Sequence, residues 1–346
     1  MENSTFDPNA PAISSNIYGL PFTKENCNIV IIGIPWDVTT SFEDGTRFGP
    51  QNILEASYQV DLFDSNAKDA WKAGLYLEPI SQDILNKAQI LREKAKKYIH
   101  CLENDLPITP EIDESRKLIN TEQEHLKNQL KEKALQHFNL QKIPVVIGGD
   151  HSTPLGLMEA VSETVTDFSI LQIDAHYDLR KAYEGFNQSH ASIMYNASKI
   201  KNCKTITHVG IRDFCEEEWN ESQQNGKSIS FLDEHLKSRL FDGENWKSIC
   251  NDIVNSIESK NVYLSFDIDG LTPDLCPGTG TPVPGGLTFE QAIYLIKSLI
   301  ESNKRLISFD LSEVSASDDR NWDGNVGARV LFKICNLLAK SNGIIS

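Results

Sequence analysis

The sequence predicts a doubly wound α/β fold on a parallel sheet, and two observations lead there. Short apolar runs of strand length recur along the chain, and they alternate with helical stretches. Residues 144–147 (PVVI), 168–173 (FSILQI) and 261–266 (NVYLSF) are near-continuous apolar runs, as expected of strands buried on both faces of a parallel sheet. A third observation locates a site: each run leads directly into a cluster of ligand-type side chains, at the strand end where open α/β sheets bind ligands.

Taken in order, 28–35 (NIVIIGIP) reads as the first strand. The loop WDVTTSFEDGTRFGP follows, with turns marked by Gly45, Gly49 and Pro50 and a helix beginning near Gln51. Residues 82–104 and 113–137 are rich in Lys, Glu and Leu and are separated by Pro107 and Pro110, which predicts an outer helical hairpin inserted at about 82–137. Further strands fall around Val145, Ile170, 207–211, 228–231, Tyr263 and 306–310, with helical stretches between them. No Pro/Gly/Ser-rich linker, repeat or low-complexity segment interrupts 1–346, so a single domain is expected.

The 346 residues carry a net charge of -16 and no Lys/Arg block, which argues against a nucleic-acid partner. Seven scattered cysteines without a CxxC pair read as reduced thiols of a cytosolic protein. The opening MENSTFDPNAPAISSN is polar and lacks an apolar signal core, and no apolar stretch reaches membrane-spanning length. A soluble cytoplasmic protein without a membrane partner is the expectation.

The clusters are GGDHS (148–152) with His151, DAHYD (174–178) with Asp174, His176 and Asp178, and SFDID (265–269) with Asp267 and Asp269. In an extended chain residues i, i+2 and i+4 share a face, so each cluster should present its ligands to one side. Four carboxylates and two imidazoles converging from three strand ends would repel one another unless cations sat among them. Two divalent ions bring four positive charges against four Asp. Hard oxygens with two His suit Mn²⁺ first, with Co²⁺, Ni²⁺ or Fe²⁺ as alternatives, and the absence of thiolates in the set argues against a structural zinc. A pair of such ions about 3.5–4 Å apart brings the pKa of a shared water to near 7, and the reaction expected is hydrolysis at a trigonal carbon by a bridging hydroxide. Singly, each cluster has a plainer reading: a solvated DxD loop, a hydrogen-bonded core His, or a tight turn with Ser152 as a helix cap. Their conjunction favours the site.

These residues resemble a known family. GGDHS, DAHYD and SFDIDGLTPDLCPGTGTPVPGG (265–286) are similar to the three signatures of the ureohydrolases, which include arginase, agmatinase, guanidinobutyrase, guanidinase and formimidoylglutamase. The likeness runs from GIPWDVTTSFEDGTRFGP (33–50) to DLSEV (310–314). It implies a three-layer α/β/α sandwich around a parallel, eight-stranded sheet, a homo-oligomer (trimer or hexamer), and manganese. It implies that His151, Asp174, Asp178 and Asp267 hold one ion and Asp174, His176, Asp267 and Asp269 the other. His190 in SHAS matches the family's proton-shuttling histidine, Glu313 the carboxylate that grips a guanidinium, and Thr281 a pocket-lining threonine; Asp178 counts with His190 and Glu313 as catalytic. A surface-loop His and a structural turn remain the plain alternatives for His190 and Thr281.

Departures from the family pattern bear on substrate. Arg180 in DAHYDLR stands where arginases carry Asn and resembles formimidoylglutamase, which would favour a carboxylate-bearing substrate; pairing with Glu184 is the structural alternative. PGTGTPVPGGL and Glu313 follow the agmatinase and arginase form, and Cys215 replaces the acidic residue with which arginases bind the substrate α-amino group. Thr272 replaces the usual Asp before Pro273, a change expected to touch only the surroundings of the ligands. Trp36, Phe42, Tyr177, Tyr183 and Phe186 are aromatics expected in or near rim loops, where packing is the commoner use of each. The leading reading is a binuclear hydrolase of agmatinase type releasing urea from a small guanidino or amidino substrate. Formimino, guanidine or guanidino-acid hydrolysis is the alternative within this class; a single-zinc deacetylase or a noncatalytic relative lies outside it.

Overall fold

The computed structural model describes residues 6–12, 16–315 and 321–346; parts of the polar N-terminal stretch, residues 1–5 and 13–15, lie outside that range. Eight strands form one parallel sheet: β1 (Ile29–Gly33), β2 (Leu75–Leu77), β3 (Ile143–Ile147), β4 (Phe168–Ile173), β5 (Cys203–Ile211), β6 (Ser228–Leu232), β7 (Asn261–Asp267) and β8 (Arg305–Ser312). Their spatial order is β2-β1-β3-β8-β7-β4-β5-β6. The expected apolar runs are β3, β4 and β7, each within one residue of its sequence bounds. β2 escaped the sequence reading because LYL is too short to stand out.

Ten helices among the described residues complete the layers: α1 (Gly49–Ser57), α2 (Gln82–Glu103), α3 (Pro110–Asn139), α4 (Leu155–Thr164), α5 (Ile193–Ser198), α6 (Glu216–Gln224), α7 (Asp233–Phe241), α8 (Trp246–Ser256), α9 (Phe289–Glu301) and α10 (Trp322–Ser341). The predicted hairpin is α2–α3, with Pro110 at the first turn of α3 and Thr109 capping it through Ile112 N–H. None of these helices is long and apolar enough to cross a membrane.

Alternating side chains of each strand face two separate cores. Ile29, Ile31, Val145 and Leu171 pack with α1, α9 and α10, while Val30, Ile32, Val146 and Ile170 pack with α2, α3 and α4. This is the three-layer α/β/α sandwich. All seven cysteines are free, and six are buried.

One contact sets the fit of α4 against α3. A Cβ built on Gly156 would lie 2.2 Å from the Lys127 carbonyl oxygen, so only glycine lets the two backbones approach. Gly156→Ala should therefore reverse the usual gain of Ala in a helix and lower stability by about 1–3 kcal/mol, read as a lower denaturation midpoint. An unchanged or raised midpoint would contradict this packing.

Candidate metal centre

Four strands adjacent in the sheet supply the site: β3, β8, β7 and β4. His151 follows β3 by way of Gly148 and Gly149. At Gly149 a Cβ would lie 1.9 Å from the Trp36 carbonyl oxygen, and at Gly148 one would lie 2.5 Å from Thr153 Oγ1. The two glycines thus let the chain turn hard against its neighbours and deliver His151 to the strand ends. Ser152 caps nothing; its hydroxyl and amide bond Asp150, and α4 starts only at Leu155.

The three clusters converge. Ligand atoms of His151, Asp174 and Asp267 all lie within 4.8 Å of one another, as do those of Asp174, His176 and Asp269. His151 Nδ1 is 3.1 Å from Asp174 Oδ2, 2.9 Å from Asp178 Oδ2 and 3.3 Å from Asp267 Oδ2. His176 Nδ1 is 3.0 Å from Asp269 Oδ2. Asp174 stands between the two histidines, its Oδ2 3.1 Å from His151 Nδ1 and its Oδ1 3.7 Å from His176 Nδ1. The extended alternation assumed for 174–178 is not what achieves this: β4 ends at Ile173, and Asp178 adopts the left-handed conformation at φ 55°. The carbonyl of Asp178 accepts the N–H groups of Met194 and Tyr195 in α5, which holds that turn.

The set fits divalent cations by its charge chemistry. Burial and neighbouring carboxylates raise Asp174, push Asp178 up to about 7 and raise Asp267 well above the usual carboxylate range. Burial opposes ionisation of the imidazoles too, yet the surrounding carboxylates lift His151 well above its ordinary value and His176 to about 10. Against its own burial, Asp269 is held down to about 2 by His176. The group as a whole is short of positive charge.

Outer partners orient the ligands. Ser265 Oγ donates to Asp310 Oδ1 at 3.0 Å and so accepts from His151 Nε2–H at 2.9 Å, which turns Nδ1 to the carboxylates. Asp174 Oδ1 accepts the His176 N–H at 2.6 Å, Asp267 Oδ1 the Asp269 N–H at 2.9 Å, and Asp269 Oδ1 the Ala175 N–H at 3.0 Å. Asp174 Oδ2 accepts from Gln172 Nε2 at 2.7 Å, and Gln172 Oε1 takes a short bond from His208 Nδ1. His208 Nε2 then accepts from Ser228 Oγ at 2.8 Å, and burial drives the His208 pKa down to about 3, so this imidazole is neutral with its proton on Nδ1. Sequence reading missed Gln172 and His208; a lone Gln and a lone His inside strands carry no local signal.

The centre floors a cavity of about 280 Å³ whose lining includes His190, Glu313, Thr281, Arg180, Tyr183, Asp213 and Cys215. Glu313 sits at φ 62°, its Oε1 accepts the His151 N–H at 2.8 Å, and its Oε2 is buried without a hydrogen-bond partner. Burial and Asp150 raise its pKa well above the usual range. His190 receives an ordering contact from Ser41 Oγ at 3.5 Å, and burial pushes its pKa down to about 3, so the resting imidazole is neutral.

One alternative read for the rim, an Arg180–Glu184 pair, is corrected. Arg180 does not pair with Glu184: its Nε lies 3.4 Å from Glu218 Oε2, and its guanidinium lies 4.6 Å from the Tyr183 ring centroid. The i, i+4 argument holds on a helix, and 180–184 is loop followed by a single turn. Of the five aromatics, Tyr183 lines the cavity, whereas Trp36, Tyr177 and Phe186 are buried in the core and Phe42 points to solvent. At Thr272 it is the backbone N–H that pairs, with Leu287.

A two-cluster acidic centre on the carboxyl edge of an eight-stranded parallel sandwich defines the class: a hydrolase of the ureohydrolase type. The arginase family model matches residues 27–336, and the chain belongs to the arginase family. An N(1)-aminopropylagmatine ureohydrolase of Thermus thermophilus is 29% identical over 291 residues, 84% of each chain. An agmatinase of Blochmanniella floridana is 30% identical over 298 residues, 85% of this chain and 82% of that one. The agmatine ureohydrolase of Thermoplasma volcanium superposes with a TM-score of 0.72 at 22% identity, covering 95% of this chain and 96% of that one. The formimidoylglutamase of Bacillus subtilis gives 0.68 at 16% identity, covering 99% and 95%. These two likenesses speak for the fold.

Two outcomes are expected here. Gln172→Leu should weaken divalent-metal affinity about 10- to 100-fold in a titration that reads bound metal per chain, the effect typical of losing a ligand's orienting partner; undiminished affinity would make Gln172 a packing residue. His208 protonates more readily unfolded than folded, so its contribution to stability is full above its ordinary pKa of 6.5 and falls as the pH drops toward 3. Between pH 7 and 5 the wild type should thus lose about 2 kcal/mol more than His208→Gln in chemical denaturation. Parallel pH profiles would refute the buried neutral state.

Proposed function

We propose that the chain hydrolyses the guanidino group of a small cationic substrate of agmatine type, with water converting the guanidine to urea and the free amine. The observation that carries this reading is Glu313, whose buried, unpartnered Oε2 lines the same cavity as both acidic clusters. A guanidinium offers paired N–H donors to such a carboxylate.

His151, Asp174, Asp178 and Asp267 would hold one divalent ion and Asp174, His176, Asp267 and Asp269 a second, with Mn²⁺ foremost and Ni²⁺ or Co²⁺ next. When bound, the pair neutralises the carboxylates and acidifies water, so that hydroxide is available near neutral pH. Glu313 accepts the guanidinium donors and fixes the carbon over the acidic clusters, with Thr281 on the same cavity wall. His190, neutral at rest, takes a proton within the cavity and delivers it to the departing amine. Asp178 contributes through His151, which it meets at 2.9 Å.

A cationic substrate tail agrees with the charges at the mouth. Arg180 is compensated by Glu218, while Asp213, with its Oδ2 3.8 Å from His176 Nε2, keeps its side chain 68% exposed. A guanidino acid is the second reading, favoured by the presence of Arg180 in the cavity lining. The family resemblance supports a cytoplasmic homo-oligomer, trimeric or hexameric.

A urea- and ammonia-release panel with metal-loaded enzyme over agmatine, aminopropylagmatine, arginine, 4-guanidinobutyrate, guanidine and formiminoglutamate tests the proposal. Urea from a cationic guanidine is expected, and Glu313→Gln should lower kcat/KM at least about 100-fold. Arg180→Ala should spare cationic substrates; selective loss on carboxylate-bearing ones would instead install the guanidino-acid reading. No cleavage of any compound with any of the three metals would sink the hydrolase assignment of this site.

A further inference from the structure

Helices that cover a sheet normally send apolar side chains inward, but α2 and α3 also send polar ones. Arg92 and Gln123 are both 3% exposed, and each bonds backbone carbonyls of a loop that borders the cavity. Gln123 Nε2 donates to the Gln188 carbonyl at 2.8 Å. One turn earlier on α3, Asn120 holds the same segment with both ends of its amide: Nδ2 donates to the Gly185 carbonyl at 3.0 Å, and Oδ1 accepts the Asn187 N–H at 2.8 Å. Between these bonds Phe186 is buried, with its ring edge to face with Tyr98 of α2 at 5.6 Å. The segment lies so close to the hairpin that a Cβ on Gly185 would come within 2.8 Å of Arg116 Cδ and 2.9 Å of Tyr98 Oη.

The same hairpin grips the loop on the other side of His190. Arg92 Nη1 donates to the Val38 carbonyl at 3.3 Å and, more closely, to the Thr40 carbonyl. The residue between them, Thr39, accepts the His190 N–H on its Oγ1 at 3.2 Å, and Ser41 reaches His190 Nε2. The segment that leads into His190 and the loop that bonds it are therefore both tied to α2–α3, the first through Asn120, Gln123 and Tyr98 and the second through Arg92. Of these four none lines the cavity.

We propose that the α2–α3 hairpin is a positioning device for His190, with Asn120 and Gln123 as positioning residues that act through the backbone of 185–188. The inference rests on the reading of His190 as the proton carrier. A proton transfer depends on sub-ångström placement, and displacement of a catalytic group by about 1 Å costs on the order of 100-fold in rate. Substrate and metal contacts are made by other residues, so the effect belongs in kcat.

The test compares metal-loaded wild type with Asn120→Ala, Gln123→Met, the double variant, His190→Ala and the triple combination, with agmatine and the other guanidines as substrates. Gln123→Met keeps the buried volume and removes only the amide. The double variant should lose about 10- to 100-fold in kcat with KM and bound metal near wild type. Hydrogen exchange should quicken in 183–192 and stay unchanged in 148–152 and 265–269. Added to His190→Ala, the two substitutions should cost nothing further, because they act through the group already removed. Losses that multiply in the triple variant, or unchanged exchange in 183–192, would overturn the proposal. A fully active His190→Ala enzyme would remove the proton-carrier reading instead, and the exchange measurement, which needs no turnover, would still decide whether the hairpin holds the segment.

Discussion

The structure turns on the crowding of carboxylates where water is excluded. Asp174, Asp178, Asp267, Asp269 and Glu313 are all at least nine-tenths buried and share one end of the sheet. Left to themselves such groups take up protons, and the raised values at Asp174, Asp178, Asp267 and Glu313 express that tendency. Backbone N–H groups of His151, Ala175, His176 and Asp269 point at four of these five side chains and supply partial positive charge from a rigid source. The rest of the positive charge has to come from the two imidazoles and from whatever cation the cavity admits.

That demand explains much of what surrounds the site. The glycines before His151 exist to bring a backbone close, and the left-handed turns at Asp178 and Glu313 aim carboxylates that a regular strand would send elsewhere. Strain of this kind persists only where neighbours over-determine it. Here the neighbours are specific: the Gly149 carbonyl accepts the Glu313 N–H, and the Asp178 carbonyl receives two N–H groups from α5. The neutral chain from Ser228 through His208 and Gln172 to Asp174 adds orientation without adding charge. An ionised residue in its place would disturb the balance that the centre needs.

How much of this was legible in the sequence depended on whether the signal was local. Apolar runs such as FSILQI announce buried strands, and the ligand clusters at their ends follow within a few residues. β2 was not legible, since three residues give no period. Glu184 is the structural alternative that a string offers Arg180, because only near neighbours are visible there, whereas its partner Glu218 is brought alongside by α6, 38 positions on. Tyr177 and Phe186 look like rim residues because they sit in loops, yet those loops fold back under the helices and bury them. The hairpin read as an outer cover for the same reason: its charged surface is plain in the sequence, while Asn120 and Gln123 gain meaning only from the segment laid against them.

The order of strands has a consequence for how the protein comes into being. β8 is the last strand in the chain, yet it lies near the middle of the sheet, flanked by β3 and β7. Before it inserts, no hydrogen-bonded ladder joins the half that carries His151 to the half that carries the aspartates. His151 thus reaches the aspartates across a strand that follows it by a long stretch of chain, a long-range closure of the kind that slows folding. A nascent chain lacking β8 could pair β4 with β7 and bring Asp174, His176 and Asp269 together, but it would lack the strand that joins His151 to them.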